Sequence, residues 1–267
     1  MLITSPANQH LRRARGVRDG REPDLIFVEG ERLAEECVHS ELPLVSCFYS
    51  PEPTPRAQKI VRQAEERECE LFEVTAAALD AISGTVNSQG IIILASRPGH
   101  SLPTMLSQAR QQANLIICLD AVQDPGNAGT MIRTAEAAGA AGLIALQGSV
   151  DLFAPKVLRS AMGSSFRLPI VTDVSPQDLI TVSREAGIRV IATAGSASVT
   201  YDEFNWTEAG VVIFGNEANG ISGELTDHCD ASVSIPIRQS VNSLNVAASA
   251  AVILFEAERQ RRHQTMR

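Results

Sequence analysis

The sequence predicts an α/β protein made of two units. Short apolar segments of strand length alternate with helix-length amphipathic segments along the chain. In the second half the apolar segments are hydrophobic throughout rather than at every other position, as expected when both faces of a parallel sheet are covered. The pattern breaks at Arg97-Pro98-Gly99-His100, where a linker begins. With 267 residues, 44% hydrophobic and 20% charged, the chain can fill two modest domains and bury a core. That composition excludes a mainly disordered or collagen-like chain.

The first unit is assigned to residues 1–98. Asn8 opens a basic helix that runs to Arg18. Leu25–Glu29 is a short strand ending in Glu29-Gly30, Glu31–His39 a helix and Leu44–Tyr49 a strand. Pro51, Pro53 and Pro55 punctuate a loop. It leads into a helix, Ala57–Arg67, with apolar positions at Ile60, Val61 and Ala64. Leu71–Val74 is a strand, Thr75–Ile82 a short helix and Gly90–Ala95 an apolar strand.

Residues 99–112 form the linker, with a polar helical stretch from Pro103 to Gln112. Residues 113–267 form the second unit. Its strands are Leu115–Leu119, Gly142–Leu146, Arg189–Thr193, Val211–Phe214 and Ala231–Ile235. Its helices are Thr130–Ala138, Pro155–Met162, Gln177–Ala186 and Val246–Arg262. Pattern alone describes an open, doubly wound sheet.

Composition bounds the function. Lys and Arg total 23 against 31 Asp and Glu, a net charge of −8. Residues 1–112 carry −3 and the remainder −5, so neither half is a basic domain. Non-specific affinity for nucleic acid is therefore small, and any polyanion must meet local basic clusters. Only Lys59 and Lys156 are lysines; the other cations are arginines, whose planar fork matches phosphate. Met1–Gly20 has four arginines and no long apolar core, unlike a secretory signal. No apolar run approaches membrane-spanning length. The five cysteines have no CxxC spacing and the five histidines are scattered. Free thiols in a reducing cytoplasm, no membrane and no metal site are the expectations.

Three segments carry chemistry. The first, Leu119-Asp120-Ala121-Val122-Gln123-Asp124-Pro125-Gly126-Asn127, leaves a strand and turns toward a helix bearing Arg133. Strand-to-helix loops are where α/β sheets place ligands, although Asp124-Pro125-Gly126-Asn127 is also a good turn in its own right. In the second, the strand Val211–Phe214 ends in Gly215-Asn216-Glu217, followed by Gly220. Gly215 permits close approach of backbone to a ligand. In the third, Ile235-Pro236 leads through a polar loop to Ser243-Leu244-Asn245 and a small-residue helix. Ser243 is the expected N-cap there. That helix is apolar nearly all round through Phe255, which predicts burial between layers or at a subunit interface.

Together these motifs resemble the three motifs of SpoU/TrmH-type RNA ribose 2′-O-methyltransferases of the SPOUT superfamily, in that family's order, over about residues 113–267. A weaker match lies in Ile3-Thr4-Ser5, Asn8, Arg12, Phe27-Val28-Glu29-Gly30 and Gln89-Gly90-Ile91. It is similar to the family's N-terminal RNA-binding extension, a small α/β fold like that of kink-turn-binding ribosomal proteins. The resemblance implies a deep trefoil knot in the parallel-sheet domain, which no pattern argument predicts, and a homodimer. It implies S-adenosylmethionine as cofactor, contacted around Gly215, Ile235 and Leu244. It implies methyl transfer to a ribose 2′-hydroxyl. Arg133 is then the residue most tied to catalysis. Asn127 and Asn245 position the ribose or the loops, and Glu217 holds Arg133 or a neighbouring contact. A guanidinium stays protonated, so Arg133 is expected to orient a phosphate and stabilise developing alkoxide charge.

RNA contacts are expected from Arg12, Arg13, Arg15 and Arg18, in a run to Arg21 opposed only by Asp19. Ser243 is a further substrate contact, and Arg159, Arg238, Arg259, Arg261, Arg262 and Arg267 are additional candidates. Few aromatics are available for stacking, which favours recognition of RNA shape. Ribosomal RNA is the favoured substrate. A transfer-RNA methyltransferase and a catalytically silent RNA-binding protein are the alternatives. A dinucleotide-type enzyme is disfavoured, because Asp124–Gly129 lacks GxGxxG spacing.

Overall fold

The computed structural model describes residues 2–85 and 89–265. The chain divides into two compact units. The first comprises Met1–Pro98 with Phe153–Arg167, the second Gly99–Leu152 with Leu168–Arg267.

Unit 1 contains β1 (Leu2–Ile3), α1 (Gln9–Arg18), β2 (Leu25–Glu29), α2 (Glu31–His39), β3 (Leu44–Tyr49), α3 (Pro55–Glu66), β4 (Glu70–Val74), α4 (Ala76–Asp80) and β5 (Ile91–Ser96). The sheet order is β1-β4-β3-β5-β2. It is mixed: β1, β4 and β3 run parallel, while β5 is antiparallel to both β3 and β2. Ile91 to Ala95 of β5 are all buried, as a central strand covered on both faces requires. Helix starts follow their caps. The Asn8 side chain accepts from His10 N at 2.8 Å, and Thr54 Oγ1 accepts from Ala57 N at 3.1 Å ahead of Pro55 at the first helical position. The sequence pattern omits β1, since two residues carry no periodicity. They form a strand only because β4 lies alongside.

In unit 2, α5 (Leu102–Gln111) precedes β6 (Leu115–Leu119), α6 (Pro125–Ala137) and β7 (Gly142–Leu146). The chain then contributes α7 (Pro155–Ala161) and a 3₁₀ turn (Ser164–Phe166) to unit 1. It resumes with β8 (Ile170–Val174), α8 (Pro176–Ala186), β9 (Arg189–Thr193), β10 (Val199–Thr200), β11 (Gly210–Phe214), α9 (Gly223–Thr226), β12 (Ala231–Ser234) and α10 (Val246–Thr265). All pairings in the order β10-β12-β9-β11-β6-β7-β8 are parallel. β11 is inserted between β6 and β9, both earlier in the chain, so the carboxyl ends of β6, β9 and β11 stand side by side.

Several boundaries differ from the sequence reading. α6 starts at Pro125, not Thr130. Asp124 caps it through Oδ1, which accepts from Asn127 N at 2.8 Å, and Pro125 is preorganised for the first turn. β8 is missing from the sequence reading because two polar residues interrupt its short apolar run: Thr172 is half-buried and Asp173 exposed, the latter at φ 60°. Segment 153–167, placed in the second half by sequence, folds into unit 1. There Arg97 stacks over the Phe153 ring at 4.5 Å and Arg167 pairs with Glu36 at 2.6 Å. These are long-range contacts that no local pattern encodes.

Four cysteines are buried and Cys229 is half-buried, all with free thiols. Burial pushes the Cys37 thiol up to about 12 and those of Cys69 and Cys229 up to about 11. Among the described residues no helix is long and apolar enough to cross a membrane. Nor does any group of three His, Cys, Asp or Glu stand ready to hold a metal ion.

Candidate functional site

A cleft of about 500 Å³ opens at the carboxyl ends of the unit 2 strands. Its walls are Thr193-Ala194-Gly195 after β9, Phe214–Glu217 and Gly220 after β11, Ile235 and Ile237 after β12, and the 242–246 segment entering α10. This is the edge where open parallel sheets place ligands. Gly215, Ile235 and Leu244, the expected cofactor contacts, all line it. Glu217, Ser243 and Asn245 line it too.

The loop after β11 is locked by local chemistry. Asn216 and Gly220 exchange backbone hydrogen bonds of 3.0 and 2.8 Å. The Asn216 Oδ1 accepts from Ala218 N at 2.9 Å, and its Nδ2 donates to Ala121 O at 2.8 Å. The buried Asp120 carboxylate accepts from Ser222 N at 2.7 Å. A Cβ on Gly215 would lie 2.2–2.4 Å from the backbone of Gly220 and Ile221, so glycine is required. Sequence reading quoted Asn216 and Asp120 but gave them no role. Their position at the ends of β11 and β6 was the available signal.

The three motifs meet through side-chain amides. Asn127 Nδ2 donates to Glu217 Oε1 at 2.7 Å, and Asn245 Nδ2 donates to Asn127 Oδ1 at 2.9 Å. Asn245 Oδ1 in turn accepts from Ala247 N at 2.9 Å and Ala248 N at 3.2 Å. Asn245, not Ser243, therefore caps α10. Asn127 is fixed because it occupies the first turn of α6 and its own N–H is held by Asp124. Each amide uses both ends, which sets its orientation.

Arg133 lies on α6, exposed, and makes no hydrogen bond or ion pair with another described residue. Of the two contacts anticipated for Glu217, Arg133 or a neighbour, the structure shows the neighbour, Asn127. The whole donor fork of Arg133 is therefore uncommitted among the described residues.

The arginine run of unit 1 is more heavily countered than the sequence suggested. Arg13 pairs with Glu22 at 3.0 Å, and Asp19 takes both Arg18 and Arg21. Arg15 donates to Pro6 O at 3.0 Å. Arg18 is half-buried, and its Nη1 donates to Ile82 O at 3.1 Å and Ser83 O at 2.9 Å. Arg12 alone of the four candidates is exposed without a partner among the described residues. α10 is also not sealed all round: Val252 is 36% and Phe255 49% exposed. Its far end is anchored, with Gln260 Oε1 accepting from Trp206 N at 3.0 Å and Arg261 Nη1 donating to Asn114 Oδ1 at 3.0 Å.

A parallel-sheet unit with a cleft at its carboxyl edge and a separate mixed-sheet unit together define a two-domain α/β protein that binds a ligand at a strand-end cleft. The profile of the SpoU rRNA Methylase family matches residues 114–255. A second profile, RNA 2'-O ribose methyltransferase substrate binding, matches residues 27–100. The chain belongs to the SpoU rRNA methylase family. It is 30% identical to the 23S rRNA (guanosine(2553)-2'-O)-methyltransferase RlmP of Bacillus subtilis, over 95% of this chain and 97% of that one. The AdoMet-bound rRNA methyltransferase of Sinorhizobium meliloti superposes with a TM-score of 0.85 at 28% identity, covering 97% of both chains. AviRb of Streptomyces viridochromogenes, a SpoU methyltransferase in complex with AdoMet, gives 0.84 at 28% identity, covering 95% and 98%.

Proposed function

We propose that the protein transfers a methyl group to a ribose 2′-hydroxyl of ribosomal RNA, with S-adenosylmethionine as donor. One observation carries the reading: the hydrogen-bonded chain Asn245–Asn127–Glu217 joins all three motifs at the mouth of one cleft. The residues present fit the cofactor. The apolar walls of Phe214, Ile235, Ile237 and Leu244 suit an adenine ring, and Gly215 lets the 220–221 backbone close against it and so shapes the cleft. Ile237 and Leu244 are 39% and 41% exposed, apolar surface that a ring would cover. When bound, the cofactor supplies an electrophilic methyl on a sulfonium.

The chain's own residues then have these tasks. Gly215, Ile235 and Leu244 hold the cofactor. Asn127 and Asn245 fix the loops that border the ribose, and Glu217 anchors Asn127. Arg133 orients the phosphate beside the target nucleotide and stabilises alkoxide charge as the hydroxyl loses its proton. Ser243 lies at the cleft for a substrate contact. Arg12, with Arg13 and Arg15 in second place, meets RNA backbone on unit 1. Arg18 is assigned to structure instead, since its guanidinium already holds the 82–83 carbonyls.

The working form is taken as a homodimer in the cytoplasm, with the exposed Val252 and Phe255 of α10 at the interface and the knot of the SPOUT fold around the cleft. Light scattering on the purified chain tests the dimer. The activity test incubates the chain with tritiated S-adenosylmethionine and, in separate reactions, 23S rRNA and transfer RNA from a strain lacking it. A labelled 2′-O-methyl nucleoside, identified by mass spectrometry, is the expected product. Label on a base, label on transfer RNA alone, or no label would each overturn the reading.

A further inference from the structure

Glu29, at the end of β2, is a carboxylate that none of the steps above employs. Its side chain is 2% exposed. A charge so deep is costly unless protein donors replace water. Here they do. Oε1 accepts from Ser83 Oγ and from Thr85 Oγ1, the latter at 2.9 Å; Oε2 accepts from Gly84 N at 3.1 Å. A further donor comes from far along the chain: Arg159 Nη1, on α7, at 3.5 Å from Oε2.

The fourth contact differs from the other three. Glu29 already has its oxygens satisfied by the 83–85 loop, and a long single-point contact adds little stability. The benefit runs the other way. The Arg159 side chain is 33% exposed, and only Nη1 faces Glu29. Its other nitrogens make no hydrogen bond with a described residue, so its fork is held at one corner and its remaining donors are uncommitted. Lys156, exposed, lies one turn earlier on the same helix. Arg18 reaches the same loop: a Cβ on Gly84 would stand 3.4 Å from Glu29 Oε2, 3.6 Å from Arg18 Cδ and 4.0 Å from Arg159 Nη1. The 153–167 segment is part of unit 1 although the substrate-binding profile ends at residue 100.

We propose that Arg159 contacts a backbone phosphate of the RNA substrate and that Glu29 is the positioning residue that aims it. The substrate-binding surface of unit 1 then includes the α7 segment, delivered from between the first and second motifs. A guanidinium fork pre-set by a buried carboxylate binds phosphate with less ordering cost than a free one. Such a contact sets register on the RNA and carries no sequence information. The inference rests on the reading that the chain binds ribosomal RNA.

The test measures binding of the full-length chain to 23S rRNA from a strain lacking it, across a salt series, with S-adenosylmethionine affinity measured in parallel. Arg159→Ala is expected to weaken RNA binding about tenfold and to lower the slope of log K against log salt by about one. Cofactor affinity should stay within about twofold of the parent. Arg159→Lys should restore the slope but not the full affinity. Glu29→Gln should weaken RNA binding comparably, and the double variant should be no weaker than Arg159→Ala alone. Parental affinity and slope in Arg159→Ala, or losses that multiply in the double variant, would overturn the proposal. Should Glu29→Gln not fold, the two Arg159 variants decide. A parent chain that does not bind the rRNA overturns the substrate reading itself and this inference with it, whereas tight parental binding indifferent to Arg159 overturns this inference alone.

Discussion

Replacing Gly215 by alanine should weaken cofactor binding by at least about a hundredfold while leaving the rest of unit 2 folded. The added methyl would sit 2.2 Å from Gly220 C, 2.3 Å from Ile221 N and 2.4 Å from Gly220 O. Ordinary carbon contacts need ~3.5 Å, so the 220–221 backbone must retreat by ~1 Å. That backbone is tied by the 3.0 and 2.8 Å bonds between Asn216 and Gly220. Losing both costs roughly 1 kcal/mol each, and forcing the methyl in adds ~1–3 kcal/mol. A total of about 3–5 kcal/mol, charged against the cleft-forming loop, is at least roughly a hundredfold in affinity. The control lies in the same cleft. Gly195 also lines it, yet a Cβ there would meet nothing within 4 Å. Isothermal titration with S-adenosylmethionine should therefore show at least about a hundredfold loss for Gly215→Ala and near-parental affinity for Gly195→Ala. Trp206, the single and fully buried tryptophan, reports folding by its fluorescence. A folded Gly215→Ala chain binding within about threefold of the parent would refute the argument.

Three further outcomes are expected. Asn245→Ala should lower stability by about 1 kcal/mol through the lost cap and also lower kcat by freeing Asn127, whereas Ser243→Ala should leave the melting temperature unchanged; equal melting shifts in the two would place the cap wrongly. Arg133→Lys and Arg133→Ala should both depress kcat with cofactor affinity and melting temperature intact, the exposed side chain supporting nothing in the fold; a Lys variant with parental kcat would show that charge without the planar fork suffices. Thiol labelling at neutral pH should be slow in the native chain and complete in denaturant, since burial raises the thiols of Cys37, Cys69 and Cys229 and so suppresses the reactive thiolate; rapid native labelling of more than one thiol would contradict that burial.

The acidic balance of the chain fits this picture. In the run from Arg12 to Arg21, Asp19 and Glu22 take three of the five arginines, so only part of that cluster is left to meet phosphate. Binding to RNA should therefore be selective and weak in its non-specific part.

The sequence by itself determined the class of the protein. Uniformly apolar strands can only be buried on both faces, so a covered parallel sheet was legible from residues 115–119, 142–146 and 211–214. The motif residues were legible because their order and spacing resemble those of a known family, and because Asn127, Gly215 and Asn245 stand in or next to loops that follow strands, where open sheets place ligands. Only the tertiary structure decided what those residues touch. Asn127, Glu217 and Asn245 are 90 and 118 positions apart along the chain, measured from Asn127, and no local spacing tells which amide faces which. The cap of α10 passed from Ser243 to Asn245, since capping depends on where the helix begins, and packing sets that point. The same holds for Arg18 and Arg159. A charge reads alike in the sequence whether it binds a carbonyl loop or faces solvent, because desolvation and partner geometry are properties of the folded chain alone.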